Sequence, residues 1–272
     1  MTNAADPVQG THRRLQRFTP VERFSRWLVL LLVVSAIVVS TRHVQIIPEF
    51  LYDAPEQMLD LLQRLWPPDL SYYQIGVHEA LVETLHIASL GTILALILAL
   101  PVALFSARNI TSNPVLQVLA KFILVSSRSV NSLVWALLFV AIFGPGTLAG
   151  VLAIAFRSVG FVGKLLGEAL EEANMGTIEA LSATGAPRLS ILLKGYWPQV
   201  KPALWSIALF RWDINVRESA VLGLVGAGGI GVALNNALNT FYWDKVSTVL
   251  LSIFAVVIIA ELVVTEIRKR II

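Results

Sequence analysis

Cysteine is absent from this chain, and charge is scarce. With no cysteine among 272 residues, a disulfide framework, a Cys-ligated zinc site and an iron–sulfur cluster are all excluded. Charged residues make up 14% of the chain, against about 25% in an ordinary soluble domain. Hydrophobic residues make up 56%, and mean hydropathy is +0.72. That leaves too little polar surface to cover a water-soluble globule, which excludes a soluble enzyme and a disordered chain alike. Catalytic patterns are missing too. His78 and His86 belong to no HExxH pattern, and no Ser-His-Asp set has supporting spacing.

Nucleotide motifs fail on context. Gly226-Ala227-Gly228-Gly229-Ile230-Gly231 fits G-x-G-x-x-G, but it ends an apolar span, and no acidic residue follows about twenty positions on. It reads instead as a backbone device for a turn or a close approach. Gly160-Phe161-Val162-Gly163-Lys164 lacks the four-residue gap of a phosphate loop and the Ser or Thr after Lys. The chain is expected to bind no cofactor. The pairs Gly146/Gly150 and Gly163/Gly167 have the small-xxx-small spacing of close helix packing.

What the chain has is long runs free of charge: 84–107, 129–156 (broken by Gly144-Pro145-Gly146), 27–41 and 246–260. A spanning helix needs about 20 such residues. Six helices are expected, at about 24–45, 82–106, 117–143, 148–167, 202–225 and 244–266. The fold class is an all-α integral membrane protein of the cell membrane. Trp66, Trp135, Trp197 and Trp243 fall near run ends, where interfacial aromatics belong.

Lysine and arginine set the orientation. Arg13, Arg14, Arg17, Arg23 and Arg26 precede the first helix, Arg188, Lys194 and Lys201 lie in 168–201, and Arg268, Lys269 and Arg270 end the chain. Six alternating helices put all three groups on one side, so both termini are cytoplasmic. The net charge of +3 therefore reports orientation, not nucleic-acid binding. The opposite segment, 41–80, is rich in acids and proline and is expected to be an external loop with at most short helices. The basic start before an apolar run resembles a signal peptide. Arg42-His43, and no small-residue cleavage site, follows Val39, so a retained anchor is expected. Two divisions result: 1–80, with tail, first helix and external loop, and a core over 81–272.

Charges inside the spans are the candidate functional residues. Arg128 falls in the third helix, Arg157 in the fourth, and Arg211, Asp213, Arg217 and Glu218 in the fifth. A mid-bilayer charge costs roughly 2.5–3.5 kcal/mol on insertion scales, so each must face a cavity, a partner chain or another charge. Asp213 and Arg217 are spaced to pair along one helix face. Four arginines against two acids suit a water-filled anion path. Structural pairing or snorkelling accounts for them equally well.

Segment 168–201 breaks the apolar pattern with Glu168, Glu171, Glu172 and Glu179, and it is too organised for a simple turn. A short helix over 176–182 is expected. Gly185-Ala186-Pro187 breaks it, a second helix starts at Arg188, and Pro198 and Pro202 mark re-entry to the membrane. Glu179-Ala180-Leu181, three residues, Gly185, then Trp197-Pro198 resembles the cytoplasmic motif of permeases from importers driven by ATP-binding cassettes (ABC). Leu181 and Trp197 replace the usual Ala and Leu. The segment 221–231 is similar to the stretch that follows this motif in the same family. Segments 127–139 and 211–217 are similar to phosphonate permeases.

The resemblance covers about 80–272. It implies a type I ABC importer permease fold in which Glu179, Ala180 and Gly185 belong to a coupling helix. It implies a dimer of cytoplasmic ABC ATPases that binds the ATP, an external substrate-binding protein, and a second permease that is a copy or a paralogue. The implied function is ATP-driven import of phosphonate or another small solute (phosphate, phosphite, an amino acid). A self-sufficient channel or carrier is the competing class.

Overall fold

A computed structural model of the chain describes residues 20–44 and 48–271. Arg13, Arg14 and Arg17 lie outside the described residues. The chain separates into two units, Met1–Asp60 and Leu61–Ile272.

In the first unit, α1 (Pro20–His43) has 24 residues, about 36 Å of helix, enough to cross a hydrocarbon layer of about 30 Å. Then comes α2 (Pro48–Leu65), whose last turn runs into the second unit. Its 18 residues correct the expectation of at most short helices between 41 and 80. The reason is helical periodicity that prolines had masked. Phe50, Ala54, Met58, Leu61 and Leu65 recur every three or four residues, and Asp53, Glu56, Gln57, Asp60 and Arg64 occupy the opposite arc.

The second unit contains α3 (His78–Ser106), α4 (Pro114–Ser129), α5 (Ser132–Phe143), α6 (Thr147–Glu171), α7 (Met175–Ala183), α8 (Arg188–Ile191), α9 (Trp197–Leu222), α10 (Ile230–Asn239) and α11 (Trp243–Ile271). Single π turns, Tyr73–Val77 and Leu192–Tyr196, lead into α3 and α9. There is no strand among the described residues. α1, α3, α6 and α11 are long and apolar enough to cross a membrane. Two bent pairs, α4 with α5 and the α8–α9 stretch with α10, bring the count to six if each is one span. The protein is thus a multi-pass, all-helical membrane protein.

The expected single helix over 117–143 is broken. Val130 and Asn131 are extended, with ψ of 135° and 148°. The Asn131 side chain accepts from the Leu133 N–H at 3.1 Å and so starts α5 afresh. α4 and α5 meet at 92°. The signal was in the sequence: Asn131, followed by Ser132, is a poor helix-interior residue and a good cap. Asn113 caps α4 in the same way, accepting from Val115 at 2.9 Å, with Pro114 in the first turn.

The core is a seam between α3 and α6. Ala88, Ala95, Ala99 and Ala103 line the buried face of α3. Ala95 and Ala99 pack with Val159 and Val162 of α6, while Ala103 and Ala107 pack with Leu166 and Leu170. Lipid is as apolar as these side chains, so burial does not drive this contact; close van der Waals packing does, and small residues permit it. On the other faces of α6 even a methyl group is too large. A Cβ at Gly160 would stand 2.4 Å from the Leu124 carbonyl of α4, and one at Gly150 would stand 2.4 Å from the Ala227 carbonyl. The segment 226–229 is indeed a turn: the Gly226 carbonyl accepts from Gly146 at 2.9 Å, and Ile230 N–H donates to Thr84 of α3 at 2.7 Å.

Gly160→Ala should therefore lower the thermal unfolding midpoint of the purified chain, with a loss of about 1–3 kcal/mol typical of overpacking. Gly176→Ala, whose nearest obstacle is the Asn174 side chain at 3.2 Å, should cost much less. Equal effects in a thermal-shift assay would mean that the α4–α6 approach is not tight.

Candidate functional site

Arg157 lies ten residues into α6, and Arg211 lies fourteen residues beyond the start of α9. Each is near the middle of its span, and between them stands one carboxylate. Glu218 Oε1 accepts from Arg157 Nε at 3.2 Å, and Glu218 Oε2 accepts from Arg211 Nη2 at 3.3 Å. Arg211 is 3% exposed. Its Nε donates to Ser158 Oγ at 2.8 Å, and its guanidinium lies over the Phe161 ring at 5.5 Å. Ser158 donates to Asn215 Oδ1 at 3.2 Å, and Asn215 donates to Thr92 of α3 at 2.7 Å. Arg157 also donates to the Val130 carbonyl at 3.2 Å, at the break between α4 and α5. One polar network thus joins α3, α6, α9 and the α4–α5 bend.

Exposure separates the two arginines. The Arg157 side chain is 30% exposed and Glu218 18%, while Arg211 is enclosed. Arg157 is therefore the more accessible of the two cations, and Arg211 pairs with Glu218 from an enclosed position. Two guanidiniums share one carboxylate, so the cluster keeps an uncompensated positive charge.

Asp213 and Arg217 pair with each other as their spacing predicts, although they take no part in the Arg157–Glu218–Arg211 cluster. Asp213 is buried; one of its oxygens meets Arg217 and the other, Oδ1, has no hydrogen-bond partner. The Arg217 side chain is 49% exposed. Arg128 stands apart. It is the penultimate residue of α4, exposed, on a cleft with Arg108, Lys121 and Lys164. Ser158, Asn215 and Thr92 were not singled out from the sequence. Neutral residues in apolar helices carry no charge signal, although Asn in mid-span is itself costly unless bonded.

Beyond α6, Asn174 caps α7 by accepting from Gly176 at 2.9 Å. Ile178 turns inward onto Leu170 and Tyr196, so that Glu179 and Ala180 face outward. Gly185 follows at φ +75°, and a Cβ placed there would have open space for 4 Å around it. The glycine is required by the backbone, not by crowding. Gln199 of α9 binds the turn before α7, accepting from Asn174 N–H at 2.8 Å and donating to Gly195 at 2.8 Å.

Residues 87–272 match the family described as "binding-protein-dependent transport system inner membrane component". The chain is similar to the phosphate-import permease protein PhnE of Mycolicibacterium smegmatis, 39% identical over 86% of this chain and 44% of that protein. It thus spans less than half of that relative's length. It is also similar to the phosphite transport system permease protein PtxC of Stutzerimonas stutzeri, 39% identical over 75% of this chain and 74% of that one. Among solved structures, a chain of the inward-facing MetNI methionine ABC transporter superposes with a TM-score of 0.65 at 24% identity, covering 73% of this chain and 97% of that chain. At that identity the likeness is one of fold.

Removing Glu218 leaves two guanidiniums facing each other. Glu218→Ala should destabilise the chain by up to the roughly 3–5 kcal/mol seen for broken buried pairs, reduced by the partial exposure of Arg157. The change should be read as a fall in the midpoint of unfolding in detergent. Asp213→Ala, outside the cluster, should cost less; the reverse order would refute the sharing of Glu218.

Proposed function

Because this chain belongs to the binding-protein-dependent transport system inner membrane component family, we propose that it is the membrane-spanning subunit of an ATP-driven importer. Its passenger is phosphonate or a related small phosphorus oxyanion. The observation that carries the reading is the spare positive charge of the Arg157–Glu218–Arg211 cluster. An oxyanion entering beside Arg157 completes the charge balance, and the planar guanidinium suits two of its oxygens at once. The relatives named for phosphate and phosphite support the same class of solute.

The chain works with partners. A cytoplasmic ABC ATPase dimer binds and hydrolyses the ATP, an external binding protein delivers the solute, and a second copy of the permease completes the pore. Glu179 and Ala180, outward-facing on α7, sit in a groove of the ATPase, and Gly185 lets the chain turn back behind them. Closure of the ATPases drives α7 inward and switches the pore between its two openings. A helix held at both ends transmits such a rigid-body motion.

The first test is uptake of labelled 2-aminoethylphosphonate by cells with and without this chain, competed by phosphite and phosphate. Uptake that depends on the chain and that phosphorus oxyanions compete supports the reading. Uptake unchanged by its loss removes the substrate assignment. Within a functional importer, Arg157→Ala should lower kcat/KM for uptake at least about tenfold, the equivalent of about 1.4 kcal/mol, with a smaller loss of stability than Arg211→Ala. Arg211→Ala should lower both. Glu179→Lys should leave ATP hydrolysis running while uptake stops; coupled uptake at the normal ratio would remove α7 from the coupling role.

A further inference from the structure

A second basic site lies between the C-terminal ends of α3 and α6 and the C-terminal half of α4. A cleft of about 280 Å³ opens there, lined by Arg108, Lys121, Arg128 and Lys164, with Glu168 and Glu171 at its edge. That volume is close to the lower end of small-ligand clefts, about 300 Å³. The two carboxylates are already engaged. Glu168 pairs with Lys164 at 3.4 Å, and Glu171 accepts the Arg108 backbone N–H at 2.9 Å. The side chains of Arg108, Lys121 and Arg128 form no ion pair among the described residues. Three cations thus converge on one concavity with no acid committed to them.

The cleft is separate from the mid-membrane cluster. Lys164 is seven residues beyond Arg157 on α6, about 10 Å nearer the cytoplasm. From Lys164 the cleft follows α6 to its last residue, Glu171. Its inner wall is apolar, formed by Leu124 and Val125. A cationic mouth over an apolar wall, between helices on the cytoplasmic side, suits a phosphate group, with or without an acyl chain attached.

We propose that this cleft binds a phosphate-type oxyanion through Lys121, Arg128 and Arg108, as a site distinct from the cluster around Glu218. Two sources share the chemistry: the headgroup of an anionic phospholipid, and a free phosphate-class anion on the cytoplasmic side. Occupancy ties the end of α3 to α4 and α6, and so adjusts how freely α4 turns about its 92° break with α5. The site does not depend on which solute is imported.

The test uses the full chain in nanodiscs. Binding of labelled orthophosphate is measured in discs of phosphatidylcholine alone. Retention of phosphatidylglycerol is measured by native mass spectrometry after reconstitution with that lipid. Phosphate bound in phosphatidylcholine discs assigns the site to a free anion; no phosphate binding, with phosphatidylglycerol retained, assigns it to a headgroup. In either case K121Q/R128Q should weaken binding at least about tenfold. K121R/R128K should restore it to within about twofold. Lys245→Gln, which removes one charge at the start of α11 on the outer side, should change nothing. If K121Q/R128Q does not purify as a single species, R128Q alone carries the same comparison. Binding of neither ligand, binding indifferent to these variants, or an equal loss in Lys245→Gln overturns the proposal.

Discussion

Everything in the membrane interior is organised around a carboxylate that cannot satisfy its surroundings alone. In hydrocarbon a lone charge is costly, so helices that carry charges are held where those charges meet. Glu218 draws Arg157 from α6 and Arg211 from its own helix. Arg157 in turn bonds the carbonyl of Val130, and Arg211 reaches α3 through Ser158, Asn215 and Thr92. The α3–α6 seam could slide along its row of alanines with little change in packing. The network removes that freedom, because every partner has one position. Specificity of arrangement thus comes from the same three side chains that leave a spare positive charge.

Much of this was legible in the sequence, and the reasons differ by residue. Fold class came from charge-free runs, which report directly on the energetics of insertion. The α7 hairpin was legible because Gly185 and Pro187 break any helix through them. The pairing of Asp213 with Arg217 followed from spacing alone. The convergence of Arg157, Arg211 and Glu218 did not: Arg157 and Glu218 are 61 positions apart, and helix rotation decides whether they meet. The break at Asn131 was missed because hydropathy outweighed a cap, and α2 because its prolines outweighed a clean amphipathic repeat. Arg128 stands apart from the cluster although it is close in level: it nearly ends α4, two residues before the Val130 carbonyl that Arg157 bonds, and it opens onto a different cleft.

Small residues and charged residues divide the labour in this core. Glycines on α6 bring α4 and the turn at 226–229 to within backbone distance of it, so a helix with almost no side-chain bulk on those faces becomes the axis of the unit. Charge then fixes rotation about that axis. Either alone would be insufficient: packing of small residues tolerates slippage, and a polar cluster without close packing would admit lipid or water between its members.

The loop that carries α7 joins two helices of matched reach. Arg157 is fourteen residues from the last residue of α6, Glu171, and Arg211 is fourteen residues from the first residue of α9, Trp197. At 1.5 Å per residue each arm is about 21 Å long. Both arginines therefore sit about four helical turns from the loop that joins their helices, and Glu218 bridges the two arms at that depth.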